Sequence, residues 1–284
     1  MQSKNNVSFL YIFSIILAAV LTVIVFCVFF LSDKLTPVFD KVMENKSNTE
    51  ISSNPTENKL TVSQDSDNYK ALVDKYTNYL NSSYLIVVNK DNPLPEYYKT
   101  MSVSSVENSA RQLETRAAEA LSELFAAANE AGYKKHVVIS GYRTEAEQET
   151  AFNTKLKSFM DGGYTATEAE TKATAVVAKP GCSEFQTGLL VEIAETRNMT
   201  SEDFASTELF TFLKENAHRY GFILRYPENK SNVTGYDFNS MVFRYVGSVE
   251  SSTYIYENNL TLEEYIDYLK IAKLDAEQKL QFVE

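Results

Sequence analysis

The stretch that decides the fold is Lys179–Glu195, "KPGCSEFQTGLLVEIAE". It begins as a loop rich in Pro, Gly, Ser and Gln and passes into the apolar run "GLLVEIA", which contains a single acid, Glu192. A short apolar run bounded by turn residues is typical of a buried strand. The pattern therefore predicts a loop that holds polar side chains in front of a buried strand carrying one carboxylate.

Helix and strand signals lie on both sides of this stretch. Capping boxes, in which a Ser or Thr precedes a Glu by three residues, predict helix starts at Ser104/Glu107, Thr144/Glu147, Thr165/Glu168 and Thr261/Glu264. Further strands are predicted within "YLIVVNKDNPLPEYY" (84–98), "VVIS" (137–140), "FILRY" (222–226) and "MVFRYVG" (241–247). This order has no regular βαβ repeat, so an α+β fold is favoured over a doubly wound sheet.

The N-terminus predicts a membrane anchor. Residues 7–31, "VSFLYIFSIILAAVLTVIVFCVFFL", contain no charged side chain, and a run of roughly 20 apolar residues is enough to span a bilayer core. The run ends in bulky residues without a cleavage signal, which favours a retained signal anchor over a cleaved signal peptide. We therefore expect a short cytoplasmic tail (1–6), a transmembrane helix (7–31), a flexible polar stalk (32–68) and a domain outside the cell membrane (69–284).

Composition argues against two features. The chain has a net charge of −11 and no run of basic residues, so nucleic acid is not an expected partner. The two cysteines are Cys27, in the predicted span, and Cys182, in the loop before "GLLVEIA". They cannot plausibly meet, so we expect no intramolecular disulfide.

Several strings occur in an order that points to a known family. The strings "LIVVNKDNPLPEYY", "SGYRTEAEQ", "PGCSEFQTGLLVEI", "LKENAHRYGFILRYPENKSNVTGY" and "MVFRYVG" together resemble the VanY-type D-alanyl-D-alanine carboxypeptidases, over roughly residues 69–269. These enzymes are zinc peptidases that trim the terminal D-Ala from peptidoglycan stem peptides. The resemblance implies a small α+β domain with a central antiparallel sheet flanked by helices, of the D,D-carboxypeptidase/hedgehog type, outside the membrane.

The resemblance also implies a zinc site whose positions are altered in this chain. The family has S-E-H-Q-T-G-x-x-V-D, where His and Asp bind zinc, and a later E-P-W-H with the catalytic Glu and a third ligand, His. The matching positions are Phe185 and Glu192 for the first two ligands, Asn239 for the catalytic Glu and Val242 for the last His. Phe and Val offer no lone pair to a metal, and Asn does not accept a proton near neutral pH. We therefore expect no zinc, no other cofactor and no catalytic residue.

Other parts of the family's substrate pocket are present. Arg143 and Gln148 match the arginine and glutamine that contact substrate, and Ser183 and Glu184 match the loop that lines the site. An arginine fork is suited to a carboxylate. These four residues are the predicted substrate-binding set, although retention for the fold alone also explains them.

The remaining reactive groups have two interpretations each. His136 and His218 are the only histidines, and structural or surface roles are favoured for both. Cys182 has no histidine near it in sequence to act as the base that a nucleophilic thiol needs. Without zinc, Glu192 needs a partner such as Arg143 or a backbone amide, or it stays neutral through a raised pKa.

The sequence thus predicts a membrane-anchored extracytoplasmic pseudoenzyme. Its expected partner is a peptidoglycan stem peptide or a cell-envelope protein. The alternative is an active peptidoglycan D,D-carboxypeptidase with an atypical metal or cysteine centre.

Overall fold

The computed structural model describes residues 55–96 and 98–283. Apart from residues 55–61, the features below belong to the second of two compact units, Val62–Glu284. The helices are α1 (Pro55–Leu80), α2 (Thr115–Glu130), α3 (Glu145–Asp161), α4 (Ala166–Val176), α5 (Ser201–Ala205), α6 (Glu208–Asn216), α7 (Ser231–Thr234), α8 (Val249–Glu257) and α9 (Leu262–Val283). Its strands are β1 (Val103–Ser105), β2 (Gln112–Glu114), β3 (Val137–Ser140), β4 (Leu190–Ala194), β5 (Phe222–Tyr226) and β6 (Asn239–Tyr245).

The expected tail (1–6), membrane helix (7–31) and stalk up to residue 54 lie outside the described residues. Among the residues that are described, no helix is long and apolar enough to cross a membrane.

The centre of the domain is a four-stranded sheet in the order β3-β4-β6-β5, in which every neighbouring pair is antiparallel. A separate small hairpin pairs β1 with β2. Helices flank the sheet, so the predicted α+β class with a central antiparallel sheet is confirmed. The stretch "GLLVEIA" supplies β4, one of the two inner strands, which explains its nearly continuous apolar sequence.

The alternation of side chains along the strands gives the sheet two different faces. One face packs on α2 through a large apolar core that includes Val191, Ile193 and Phe243. The other face carries Glu192 and Val242, which are paired across β4 and β6. The functional positions therefore lie on the face opposite the main core.

Three predicted capping boxes are confirmed. The hydroxyls of Thr144 and Thr165 accept from the backbone N–H of Glu147 and Glu168, and each glutamate accepts from the threonine N–H in return. Thr261 and Glu264 make the same reciprocal pair at the start of α9. Each box satisfies backbone donors that a helix start leaves free.

Three predictions of secondary structure were wrong. Ser104 lies in strand β1 and starts no helix; the backbone turns at Asn108, whose φ of 55° is left-handed, and the helix begins only at Thr115 with Glu114 as its N-cap. The segment 84–98 forms no strand in its described residues, because its backbone groups bond to the Gly181 carbonyl and to Arg244 rather than to a neighbouring strand. Residues 55–68 of the expected flexible stalk belong to helix α1.

Candidate functional site

The floor of the candidate site is a row of three residues across the sheet. Glu192 on β4 lies between Ser140 on β3 and Val242 on β6; the pairing with Val242 is regular, and the pairing with Ser140 follows a β-bulge between Val138 and Ser140. Side chains that are paired across strands point to the same face, with Cβ atoms about 5 Å apart. Two positions of the predicted centre, Glu192 and Val242, are therefore adjacent, as the sequence predicted.

Arg143 lies above this row and is held from several sides. Its guanidinium donates to Ser140 Oγ at 2.8 Å and to Gln148 Oε1 at 3.2 Å. Its backbone N–H donates to the Phe185 carbonyl at 3.1 Å. The next residue, Thr144, is the N-cap of α3, so the helix start fixes the backbone that carries the arginine.

Phe185 covers one face of the arginine. The guanidinium carbon of Arg143 is 4.3 Å from the centroid of the Phe185 ring, which is a cation–π contact. Phe185 belongs to a 3₁₀ turn, Glu184–Thr187, that ends at Gly188 with φ 76°. A Cβ at Gly188 would lie 3.0 Å from the Glu114 backbone nitrogen, so both the left-handed turn and the close approach require glycine.

The Glu192 carboxyl is half-buried and has an altered pKa. Burial raises this pKa, and the positive charges of Arg143 and Arg111 offset part of the increase. Neither arginine donates a hydrogen bond to it, and no other described residue perturbs its pKa. Both features that the sequence left open are present, since burial raises the Glu192 pKa and Arg143 is a nearby charge that offsets part of this increase.

The sequence predicted that Glu184 contacts the ligand, but in the structure its side chain is buried. It is only 3 % exposed, and its carboxylate accepts from Arg225 Nε and Nη2 and from Arg244 Nη1 at 2.9–3.1 Å. Arg225 also donates to Glu263 on α9, at 3.0 and 2.6 Å. Although burial alone would raise the Glu184 pKa, the two arginines hold it below its usual range. Glu184 therefore fixes the loop to the sheet.

This ion-pair cluster was missed from the sequence, although a signal for it was present. Arg225 and Arg244 interrupt the apolar strands "FILRY" and "MVFRYVG", and a fully buried arginine requires an acidic partner. The partners were not identifiable, because Glu184 is 41 and 60 residues away from the two arginines.

Gln148 and Ser183, the other predicted substrate contacts, are also buried. Gln148 is 1 % exposed; its Nε2 donates to the Ala178 carbonyl at 2.6 Å and its Oε1 accepts from Arg143. It therefore orients the arginine. Of the four predicted residues, Arg143 alone is more than marginally accessible.

Asn239 begins strand β6, where the catalytic Glu was expected. Its side-chain Oδ1 accepts from the backbone N–H of Met241 at 3.0 Å, so the amide is used to start the strand. Met241 is buried in the main core. This segment supplies Val242 to the site but no acid.

The histidines and the cysteine lie apart from this arrangement. His136 stacks on Phe125 at 4.1 Å and bonds to Asn129, beside a separate cavity of about 330 Å³. His218 stacks on Tyr256 at 4.0 Å. Cys182 is a half-buried free thiol. Within the described ranges, no group of three or more His, Cys, Asp or Glu side chains is arranged to hold a metal ion.

Comparison with known proteins identifies the family. The family model described as VanY, D-alanyl-D-alanine carboxypeptidase, matches residues 110–248. A D-alanyl-D-alanine carboxypeptidase of Enterococcus faecalis is 33% identical, with 85% of each chain covered. The chain belongs to the VanY family. The putative carboxypeptidase YodJ of Bacillus subtilis, another relative, is 36% identical over 66% of this chain and 68% of its own.

Solved structures agree with membership of the VanY family. VanYB in complex with D-alanine-D-alanine has a TM-score of 0.57 and 36% identity, covering 66% of this chain and 98% of its own. The LD-carboxypeptidase LdcB, solved to explain peptidoglycan recognition, has a TM-score of 0.56 and 34% identity, covering 67% of this chain and 87% of its own. A mutant of the D,D-pentapeptidase VanY was solved in complex with Zn(II), with a TM-score of 0.56 and 37% identity, covering 65% of this chain and 99% of its own.

The donor set of this chain does not fit a zinc site of the type that the family implies. Catalytic zinc is usually bound by three protein ligands. Of the three matching positions, Glu192 has a donor atom, Phe185 presents a ring stacked on Arg143, and Val242 is a buried alkyl group.

Proposed function

We propose that this chain is a VanY-family protein without a zinc centre or peptidase activity, which binds peptidoglycan stem peptides. The observation that carries the proposal is the position of Phe185. Its ring lies 4.3 Å from the Arg143 guanidinium carbon, where the family resemblance implies a metal-binding imidazole. An apolar ring in cation–π contact is present at a position where a zinc peptidase of this family would need a metal ligand, which supports the proposal.

The chemistry of the neighbouring positions supports the same proposal. Val242, beside Glu192 on the sheet, offers no donor, and a single carboxylate is a poor site for zinc. The Asn239 amide accepts a backbone hydrogen bond and has no proton-accepting role near neutral pH. Loss of both the Lewis acid and the general base removes the two elements that activate water in a zinc peptidase.

The proposed binding role does not depend on zinc, because it rests on the guanidinium of Arg143, which is oriented by its neighbours and can bind an anion. Ser140 and Gln148 fix its orientation, and burial around it strengthens its interaction with a carboxylate. The related VanYB was solved with D-alanine-D-alanine and LdcB is described as a peptidoglycan-recognising enzyme. We propose that the stem-peptide carboxylate meets Arg143 in this chain.

Metal analysis and turnover test the loss of activity. The purified full chain should contain far less than one zinc per molecule and should release no D-Ala from a pentapeptide substrate, with and without added zinc. Stoichiometric zinc together with turnover would establish the alternative, an active enzyme with an atypical metal centre. Metal-free turnover that disappears in Cys182→Ala would establish a cysteine centre.

Peptide titration tests the binding role. A stem pentapeptide should bind the wild-type chain, and Arg143→Ala should weaken binding about tenfold or more, since a hydrogen bond to a charged group contributes about 1.5–3 kcal/mol. Arg197→Ala removes an exposed arginine that lines the separate cavity, and it should leave the affinity unchanged. No binding, or equal loss in both variants, would leave a cell-envelope protein as the proposed partner.

We propose a location at the outer side of the cell membrane, supported by the uncharged run 7–31. Protease added to intact cells should degrade the domain while the chain remains in the membrane fraction. Protection of the domain in intact cells would contradict this location.

A further inference from the structure

A cleft at the free edge of the central sheet lies apart from the candidate site. Strand β3 is at the end of the strand order, so none of the described strands of this sheet pairs with its outer edge. Val137 and Val138 of β3, the turn between β1 and β2, and Arg197 line a volume of about 330 Å³. One face of α2 completes the lining with residues three or four positions apart, namely Ser122, Phe125, Ala126 and Asn129. The volume is in the range of small-molecule sites, about 300–1,000 Å³.

His136 and Asn129 present an acceptor and a donor side by side in this cleft. Burial lowers the pKa of His136, so its imidazole is neutral at neutral pH. Its Nε2 lies 3.1 Å from Asn129 Oδ1, and because that oxygen only accepts, the ring hydrogen is on Nε2. His136 Nδ1 therefore keeps a lone pair and Asn129 Nδ2 keeps its N–H donors, and within the described ranges neither atom has another partner. Together they match a secondary amide, which has one N–H and one C=O.

The other polar groups of the cleft favour an uncharged ligand rich in hydroxyls. Glu107 and Arg197 carry opposite charges, so the lining has no net charge. Ser122 Oγ donates to a carbonyl of the preceding turn of α2 at 3.1 Å and can still accept. Ser109 Oγ accepts from the backbone N–H of Arg111 at 3.0 Å and can still donate. Hydroxyl groups both donate and accept, so they satisfy such a mixture of partners.

We propose that this cleft binds a neutral sugar that carries an acetamido group, an N-acetylated hexosamine. The ligand N–H donates to His136 Nδ1, and the ligand carbonyl accepts from Asn129 Nδ2. Sugar hydroxyls donate to the Glu107 carboxylate and bond to the two serines, and the acetyl methyl lies against Val137. A peptide backbone would supply the amide but not the hydroxyls. The cleft shares no lining residue with the site around Arg143, so this inference goes beyond the proposed peptide binding and does not depend on it.

Saturation-transfer NMR that observes the ligand tests the inference on the full chain, held in a detergent without sugar groups. The probes are N-acetyl-D-glucosamine, D-glucose and N-methylacetamide. D-glucose has a hydroxyl in place of the acetamido group, and N-methylacetamide has the amide alone. N-acetyl-D-glucosamine should bind about fivefold or more tightly than either of the others, the factor expected when two hydrogen bonds are lost.

Variants of the lining place the sugar in the cleft. Asn129→Asp keeps the oxygen that bonds to His136 but removes the N–H donors, so it should remove the preference for N-acetyl-D-glucosamine over D-glucose. Glu107→Ala should weaken both sugars and leave N-methylacetamide unchanged. The matched control is Glu130→Ala, which is exposed on the same helix and outside the lining, and it should change none of the affinities. Thermal unfolding of each variant confirms that it is folded.

Each adverse result overturns a defined part of the inference. No binding of the sugars, equal affinity for the two sugars in the wild-type chain, or a preference that persists in Asn129→Asp overturns the acetamido site. Equal loss in Glu130→Ala overturns its placement in the cleft. N-methylacetamide that binds as tightly as N-acetyl-D-glucosamine overturns the sugar in favour of a peptide group. Stem-peptide binding is unaffected by all of these results, since titration of Arg143→Ala tests it separately.

Discussion

Replacing Glu184 with glutamine tests the idea that a buried ion-pair cluster holds the site loop. The substitution keeps the shape of the side chain but removes the charge between Arg225 and Arg244. Arg225 retains two hydrogen bonds to Glu263. Arg244 retains only backbone carbonyls, those of Tyr84, Ile86 and Tyr245. One buried positive charge is therefore left without an anion.

The expected loss of stability follows from that uncompensated charge. Removing one partner of a buried ion pair costs about 3–5 kcal/mol. For a unit of this size each kcal/mol lowers the melting temperature by about 2–4 °C, so Glu184→Gln should melt roughly 6–20 °C below the wild-type chain. Glu263→Gln should cost less, since its side chain is 16% exposed and contacts one arginine of the pair.

Thermal and urea unfolding followed by circular dichroism provides the measurement. The matched control is Asp161→Asn, which breaks the exposed Lys157–Asp161 pair and should change the free energy of unfolding by about 0.5 kcal/mol or less. Because the Glu184 pKa is lowered in the folded state, its contribution is present above the unfolded value of about 4.3 and is lost as the pH falls through the folded pKa. A loss below about 1 kcal/mol at neutral pH, or a larger effect for Glu263→Gln, would refute the reasoning.

Two further predictions concern the floor and the wall of the site. Burial raises the Glu192 pKa, and the charges of Arg143 and Arg111 offset only part of this increase. The carboxyl therefore favours the folded state below its unfolded pKa of about 4.3 and loses that contribution as the pH rises through the folded pKa. Glu192→Gln should raise the melting temperature at pH 7 and match the wild-type chain near pH 4; a difference that stays the same across that range would contradict the assignment. The double variant Phe185→His/Val242→His should bind about one zinc per chain, with Glu192 as the third ligand. The single variant Phe185→His should bind no zinc. A double variant that binds no zinc would show that the three side chains do not meet at one metal site.

The strands and the centre of the site could be predicted because their signals are local. The apolar run "GLLVEIA" and the strings around Val138 and Phe243 became adjacent strands, as their composition indicated. The resemblance then matched Phe185, Glu192 and Val242 to one place, and the register brings the last two side by side. Local composition was enough for the strands, and the family resemblance supplied the centre of the site.

The remainder depended on contacts that sequence spacing does not reveal. Ser104 and Glu107 have the spacing of a capping box, but pairing of β1 with β2 and the left-handed Asn108 direct the chain into a hairpin instead. Glu184 belongs to a motif that suggests a ligand contact, yet two distant strands supply the arginines that enclose it. Tertiary partners determined the role in both cases.

The enclosure of Glu184 has a consequence for how this domain could change its chemistry over time. The residue next to it, Phe185, is anchored through a neighbour whose bonds are made entirely within the protein. The loop therefore needs no ion to keep its course, unlike sites whose folding depends on metal binding. We therefore expect that a substitution at position 185 leaves the segment folded, because Glu184 still anchors it. In this loop, Glu184 holds the fold, while the adjacent Phe185 lies at the position where the family resemblance implies a zinc ligand.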